Sequence, residues 1–142
     1  MSSGTQARCG DYIWPTGTPV EVPRRFDPPA QPWLPGHRGV DLALDVGSAV
    51  VAAKDGVVAF AGTVVDRPLV SIDHDDGKRS TYEPIEPVVA EGDEVFAGDT
   101  IGFLVEGHGW EGPALHFGIR VSQKEYEDPL WHLCANIVLK YG

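Results

Sequence analysis

Residues 36–41 read Gly-His-Arg-Gly-Val-Asp, and residues 113–120 read Pro-Ala-Leu-His-Phe-Gly-Ile-Arg. Side chains on a β-strand point to alternate faces, so His37 and Asp41 lie on one face if the first segment is extended. A neighbouring strand that carries His116 on the same face would then bring two imidazoles and one carboxylate together. Three such ligands, with a fourth position left to water, are typical of a catalytic zinc site, whereas cysteines usually complete structural zinc sites.

Each histidine has a simpler interpretation when it is taken alone. His37 lies among glycines and fits a loop, and His116 fits a hydrogen-bonded position in the core. The two segments together, however, resemble the lysostaphin-type, or LytM-like, family of peptidoglycan zinc metalloendopeptidases. In that family a His-x-x-x-Asp and the second histidine of a His-x-His hold zinc, and the similarity runs from about Trp33 to Ile119. The resemblance implies that His37, Asp41 and His116 are zinc ligands.

Two positions depart from the family pattern. The His-x-His reads Ala114-Leu115-His116 here, and a Tyr-x-His near the middle of the family domain reads Tyr82-Glu83-Pro84. In the family the two lost histidines assist the attacking water and the oxyanion. The resemblance therefore leaves two functions open. One is a weak zinc endopeptidase, and the other is a degenerate module that keeps zinc and docks to wall peptide or activates another hydrolase.

Two residues are candidates for the lost proton transfer. His108 lies in the glycine-rich loop 105–112, and a loop can deliver a side chain that a strand cannot. Glu83 stands one residue from the family's histidine position. Because a shift of one residue inverts the face of a strand, we expect Glu83 to point away from the metal unless the backbone bulges. The predicted lining of the substrate groove is aromatic and consists of Trp33, Tyr82 and Trp110.

Short segments of alternating polarity predict an all-β fold of antiparallel strands in two sheets, similar to a barrel-sandwich. Residues 47–52 and 92–97 form an internal quasi-repeat, and Lys54-Asp55-Gly56 predicts a hairpin turn. A lysine at such a tip is also what a biotinyl or lipoyl carrier presents, although the methionines that flank it in biotinyl domains are absent. Residues 69–73 predict a strand, followed by a polar turn that contains His74.

The chain length fits one domain. We expect a flexible lead over residues 1–13 and a single LytM-like domain over 14–142. Within that domain we predict a Pro-rich extended wrap (14–35), a β core (36–122) and a C-terminal packing segment (123–142). Cys9 and Cys134 lie near opposite ends of the chain and are candidates for a disulfide if the protein is exported.

Composition excludes some partners. The formal net charge is -10 and no cluster of Lys and Arg is present, so binding to nucleic acid is not expected. No apolar run approaches the ~20 residues of a membrane span. The family resemblance implies zinc as cofactor, peptidoglycan peptide or another cell-wall hydrolase as partner, and a location outside the cytoplasm. Since residues 1–10 are polar, we expect a signal or anchor to be absent from this sequence. The oligomeric state is not predicted.

Overall fold

The computed structural model describes residues 11–27, 36–107, 113–122 and 125–133. Within these ranges the chain forms short strands and one 3-10 helix (Pro129–Trp131). The strands, in chain order, are β1 (Val40–Ala43), β2 (Ala49–Val51), β3 (Gly56–Val64), β4 (Arg67–Asp73), β5 (Arg79–Glu83), β6 (Ile85–Pro87), β7 (Glu94–Val95), β8 (Thr100–Leu104), β9 (Ala114–Arg120) and β10 (Tyr126–Glu127).

The strands form two antiparallel sheets. The larger sheet has the order β1-β9-β5-β4-β3-β7, and β10 pairs with β9. The smaller sheet has the order β2-β8-β6. This architecture confirms the predicted all-β, two-sheet fold. The two halves of the predicted metal site, β1 and β9, are neighbours in the larger sheet.

The core takes side chains from both sheets. The larger sheet contributes Ile72, Tyr82 and Phe117, and the smaller sheet contributes Ile101 and Leu104, all of them buried. Strand β5 shows how the sequence separates the two faces. Its side chains alternate, so that Ser80 and Tyr82 are buried while Arg79, Thr81 and Glu83 occupy the other face. That other face carries the functional site.

The Pro-rich segment covers the outer edge of β1. Residues 21–27 run antiparallel to residues 37–43, and the amides of Asp41 and Ala43 donate to the carbonyls of Arg24 and Glu21. An open strand edge invites pairing with other chains, and a proline-containing segment can cover it while offering few donors of its own. The segment therefore shields β1 and brings Arg24 beside the predicted metal ligands.

The predicted hairpin around Lys54 is wrong. Strand β2 pairs with β8 in the smaller sheet, and β3 pairs with β4 and β7 in the larger one, so residues 52–55 cross between the sheets. Lys54 thus does not occupy a hairpin tip. Since a carrier domain presents its lysine at such a tip, the structure does not support the carrier-domain interpretation. The two copies of the quasi-repeat form similar turns in the structure. Gly47 and Gly92 both have a φ of +92°, and each precedes a short strand.

Residues 11–13 are the described part of the predicted lead, and they contact the last described segment of the chain. Tyr12 is fully buried, and its amide donates to the carbonyl of His132. Leu133 pairs with Tyr12 in a parallel bridge, so the first and last described segments pack together. No helix among the described residues is long and apolar enough to cross a membrane.

His74 begins the polar turn that the sequence predicted, since its carbonyl accepts from the amide of Gly77, and its side chain is buried. Its Nδ1 lies 2.8 Å from the carbonyl oxygen of Asp55, and because a carbonyl only accepts, Nδ1 carries the proton. Its Nε2 then accepts from the hydroxyl of Ser80 at 2.7 Å. The Ser80 oxygen accepts from Tyr82, whose own oxygen accepts from the amide of Ala53. The network is satisfied only while His74 is neutral.

We expect stability to fall in mild acid because of His74. Burial lowers the pKa of His74 below its ordinary value, so the unfolded chain takes up a proton at a higher pH than the folded chain. The free energy of unfolding should therefore decrease as pH falls below about 6.5, the ordinary pKa of histidine. Urea unfolding at several pH values, with chelator present, measures this loss, and His74→Gln should show a shallower decrease. If the free energy of unfolding falls equally with pH in both proteins, His74 is not the cause of the loss.

Candidate metal centre

The two distant sequence segments meet at one point of the larger sheet. Asp41 on β1 lies directly opposite His116 on β9, and opposite residues of an antiparallel pair share a face. The Asp41 Oδ1 is 3.0 Å from Nδ1 of His116 and 3.1 Å from Nε2 of His37. The ligand atoms of all three residues lie within 4.8 Å of one another. The structure thus brings together the three side chains that the sequence singled out.

His37 is held by the covering segment, since it precedes β1 and does not lie on it. It pairs with Asp27 through two backbone hydrogen bonds, and its side chain is 8% exposed. Its Nδ1 donates to the carbonyl of Arg25 at 2.9 Å, which turns Nε2 toward Asp41. A histidine ligand whose other nitrogen donates to a carbonyl is common in metal sites, because this bond fixes the tautomer.

Gly39 allows the two histidines to approach. A Cβ at this position would lie 2.5 Å from the carbonyl oxygen of Phe117 and 2.9 Å from Nε2 of His116. Any larger residue would push β9 away or displace the His116 ring. The ring centroids of His37 and His116 are consequently only 4.9 Å apart.

The charge pattern of the cluster suits a cation. Burial by itself raises the pKa of Asp41, but the hydrogen bond from His116 and the charge of His37 outweigh it and hold that pKa below its ordinary value. Oδ1 of Asp41 lies within 3.1 Å of both Nε2 of His37 and Nδ1 of His116, and each ring nitrogen carries a lone pair when it is unprotonated. Such atoms at 3.0 to 3.1 Å require a proton or a metal ion between them.

The donor set fits zinc. Zinc takes imidazole nitrogen and carboxylate oxygen at about 2.0 to 2.2 Å in a tetrahedron, which separates neighbouring ligand atoms by roughly 3.3 Å. The observed separations of 3.0 and 3.1 Å are close to that value. Three protein ligands also leave one position of a tetrahedron for water or substrate.

The cluster lies in an open cleft of about 420 Å³. Thr81 and Glu83 of β5 line this cleft together with Gly118 of β9 and Tyr126 of β10. The Glu83 side chain is 12% exposed, and its Oε2 accepts from Nη1 of Arg67 at 3.1 Å. A carboxylate is therefore present on the same face as the proposed ligands.

The prediction that Glu83 points away from the metal is wrong. Strand β5 pairs with β9 so that Glu83 lies directly opposite His116, which puts both side chains on one face. Tyr82 consequently points the other way. It is fully buried against Phe117, so its predicted place in the substrate groove is also wrong. Burial raises the pKa of its hydroxyl to about 12.

Positions 114 and 84, which depart from the family pattern in the sequence, carry no imidazole. Ala114 precedes His116 by two residues on β9 and shares its face, but it offers only a methyl group. Pro84 is buried. The described histidines outside the cluster, His74 and His132, bind Ser80 and Glu127 instead. Within the described ranges, no third imidazole enters the metal cluster.

Several predicted site residues cannot be placed. His108, Trp33, Trp110 and the two cysteines, Cys9 and Cys134, lie outside the described residues. Conversely, sequence reasoning missed three arginines that line the cleft, Arg24, Arg38 and Arg67. Only Arg38 had a signal, because it lies inside the His-x-x-x-Asp motif.

Sequence comparison confirms the family resemblance. Residues 35–129 match the profile of Peptidase family M23. Uncharacterized protein Rv2891 of Mycobacterium tuberculosis is 44% identical over 122 residues, which is 82% of this chain and 49% of that protein. Murein hydrolase activator NlpD of Salmonella typhimurium is 33% identical over 135 residues, or 93% of this chain and 34% of that protein. The chain thus spans half or less of the length of these relatives.

Solved structures of the same fold include two with related sequence. The catalytic domain of the antimicrobial peptidase lysostaphin from Staphylococcus simulans superposes with a TM-score of 0.68 at 27% identity, covering 78% of this chain and 90% of that domain. Helicobacter pylori Csd3 gives a TM-score of 0.70 at 27% identity, covering 86% of this chain and 34% of Csd3.

Proposed function

The chain belongs to Peptidase family M23, and from this we propose that it is a zinc-dependent endopeptidase that acts on peptides of cell-wall peptidoglycan outside the cytoplasm. The observation that carries the proposal is the convergence of His37, Asp41 and His116 at the bottom of an open cleft. Lysostaphin, whose catalytic domain superposes on most of the chain, is a peptidase and supports the reaction class.

Each residue of the cleft has a proposed part in the reaction. His37, Asp41 and His116 would hold zinc, which supplies polarisation of the peptide carbonyl and lowers the pKa of water to about 7. Glu83 is the remaining carboxylate of the described cleft lining, and we assign it the transfer of the proton from the attacking water to the leaving amine. Arg67 orients the Glu83 carboxylate through its ion pair.

A second function is favoured by two specific observations. Ala114 removes an imidazole from the face of β9 that carries His116, and one relative is named as a murein hydrolase activator. On this alternative the chain keeps the metal cluster for its structure and presents the cleft to wall peptide or to another hydrolase. The two functions share the fold and the zinc site, and they differ in whether peptide bonds are cut.

The decisive experiment measures zinc and cleavage on the same preparation. We expect one zinc ion per chain by elemental analysis, and new amino termini when the loaded protein is incubated with purified peptidoglycan. Bound zinc without cleavage over a range of pH would reject the endopeptidase. Stimulation of a separate wall hydrolase by the same preparation would then support the activator.

Restoring an imidazole at position 114 should increase cleavage. Ala114→His puts the ring on the face of β9 that carries His116, so we expect about a tenfold gain in turnover, less than the full effect of general acid-base catalysis. Release of amino groups from peptidoglycan measures the gain. Ala114→Leu is the matched control, since it adds similar bulk beside Ala43 without a titratable group. If both variants change the cleavage rate equally, an imidazole at position 114 has no chemical role.

A further inference from the structure

A set of arginines surrounds the metal cluster on the cleft face of the larger sheet. Three of them, Arg24, Arg38 and Arg67, line the cleft itself. From this we propose that the cleft selects peptides that carry a free carboxylate next to the peptide bond at the metal, with Arg24 as the specificity-determining residue. The inference rests on the proposed function because it names the substrate class of the same site.

Strand register places the arginines on the metal face. Arg24 pairs with Asp41 through a backbone bridge and lines the same cleft. Along the β5–β9 pair, Glu83 lies opposite His116, Thr81 lies opposite Gly118, and Arg79 lies opposite Arg120. Alternate residues of a strand share a face, so these three pairs form one row that starts at the metal cluster and ends at Arg79 and Arg120. At that far end Asp73 already accepts two hydrogen bonds from Arg79, so the free positive charge of the row lies at the metal end, beside Arg24.

The row has room for an extended peptide. Gly118 has no side chain and Thr81 a short one, so the middle of the row is shallow and the cleft is open above it. Each pair is about 7 Å from the next on the same face, since strands rise roughly 3.3 Å per residue. Arg120 is two such steps, roughly 14 Å, from the metal cluster, whereas Arg24 lies beside it. A carboxylate next to the bond at the metal would therefore meet Arg24.

The local charge differs in sign from that of the whole chain. The described cleft lining carries three arginines against the two carboxylates of Asp41 and Glu83, and a zinc ion would add two further positive charges. The chain as a whole has a formal net charge of -10. Asp41 is hydrogen-bonded to the two histidines, and Glu83 is paired with Arg67. An anionic group is thus attracted at the cleft and repelled over most of the remaining surface.

This contrast favours a single carboxylate over a phosphate polymer. At physiological salt, charges interact over about 8 Å, so a carboxylate in the cleft feels the arginines and little of the distant acidic surface. A long polyanion extends over that acidic surface and is repelled by it. Guanidinium groups also match the two oxygens of a carboxylate, which strengthens and orients the contact.

Binding of a matched pair of peptides tests the inference. The probes are N-acetyl-Gly-Ala-Ala with a free carboxylate and the same peptide as its carboxyl-terminal amide, each titrated calorimetrically into the zinc-loaded protein. We expect the carboxylate form to bind about tenfold more tightly at low salt, as for one charge-assisted contact, and the difference to shrink at high salt. Arg24→Gln should weaken the carboxylate peptide by about 3- to 10-fold and leave the amide within about twofold.

Lys78→Gln provides the control. It changes the net charge by the same amount but lies in the β4–β5 turn, outside the cleft lining. Equal affinity for the two peptides, or equal losses in Lys78→Gln and Arg24→Gln, would overturn the carboxylate preference even if the protein cuts peptidoglycan. A preference that persists in a protein without cleavage would uphold the inference while the endopeptidase fails. Displacement of the carboxylate peptide by a polyphosphate at equal charge concentration would also overturn it, in favour of a general anion site.

Discussion

Replacing His116 with alanine is expected to weaken zinc binding by more than about 100-fold and to abolish peptide cleavage. Four-ligand zinc sites of small domains contribute ~10 to 16 kcal/mol, so one ligand accounts for about 3 kcal/mol, or a factor of about 100. His116 also donates to Asp41 in the cluster, so its loss leaves a buried carboxylate with one partner fewer. The same change at His37 should have a similar effect, because both rings share the Asp41 oxygen.

Two measurements check this result independently of activity. Titration against a competing chelator gives the zinc affinity, and thermal unfolding with and without zinc gives the stabilisation that binding confers. Zinc should raise the melting temperature of the native chain and leave that of His116→Ala nearly unchanged. His132→Gln is the matched control, because His132 pairs with Glu127 and lies outside the cluster. Unchanged zinc content in His116→Ala would remove the basis of both proposed functions.

Local sequence signals were sufficient where an element depends mainly on its own residues. The alternation at 69–73 predicted β4, and the polar turn predicted the return strand that begins at Arg79. The Asp55-Gly56 pair, in contrast, predicted a hairpin although the chain crosses to the other sheet there. A tight turn has the same local chemistry in both cases, and only the pairing of β2 with β8 decides between them.

The orientation of site residues depends on partners that are distant in sequence. Glu83 faces the cleft because β5 pairs with β9 in a register that sets it against His116, and no local pattern specifies that register. The buried ring of His74 is stabilised by two hydrogen bonds. Its Nδ1 donates to the Asp55 carbonyl, and its Nε2 accepts from the Ser80 hydroxyl. Arg24 reaches the cleft from the covering segment. The metal cluster was predictable because its two sequence motifs resemble those of a family in which the same residues bind one metal ion.

Replacing Glu83 with glutamine is expected to reduce turnover by about 100- to 10,000-fold while zinc binding stays unchanged. Glutamine has the same shape and can still accept from Arg67, but it cannot take a proton from water. The structure gives Glu83 this role because it is directly opposite His116 and, in the described part of the cleft, is the carboxylate outside the metal cluster. Initial rates on peptidoglycan, together with a zinc titration of the same variant, separate chemistry from metal loss.

Two further variants distinguish proton transfer from a change in charge or position. Glu86→Gln removes an exposed carboxylate three residues away on β6 and should leave turnover unchanged. Arg67→Gln keeps the Glu83 carboxylate but removes its ion pair, so we expect a smaller loss of about tenfold from poorer orientation. If Glu83→Gln cuts peptidoglycan as fast as the native chain, proton transfer belongs to another group. His108→Ala would then be the variant expected to lose activity, because the sequence predicts His108 as a candidate for this step.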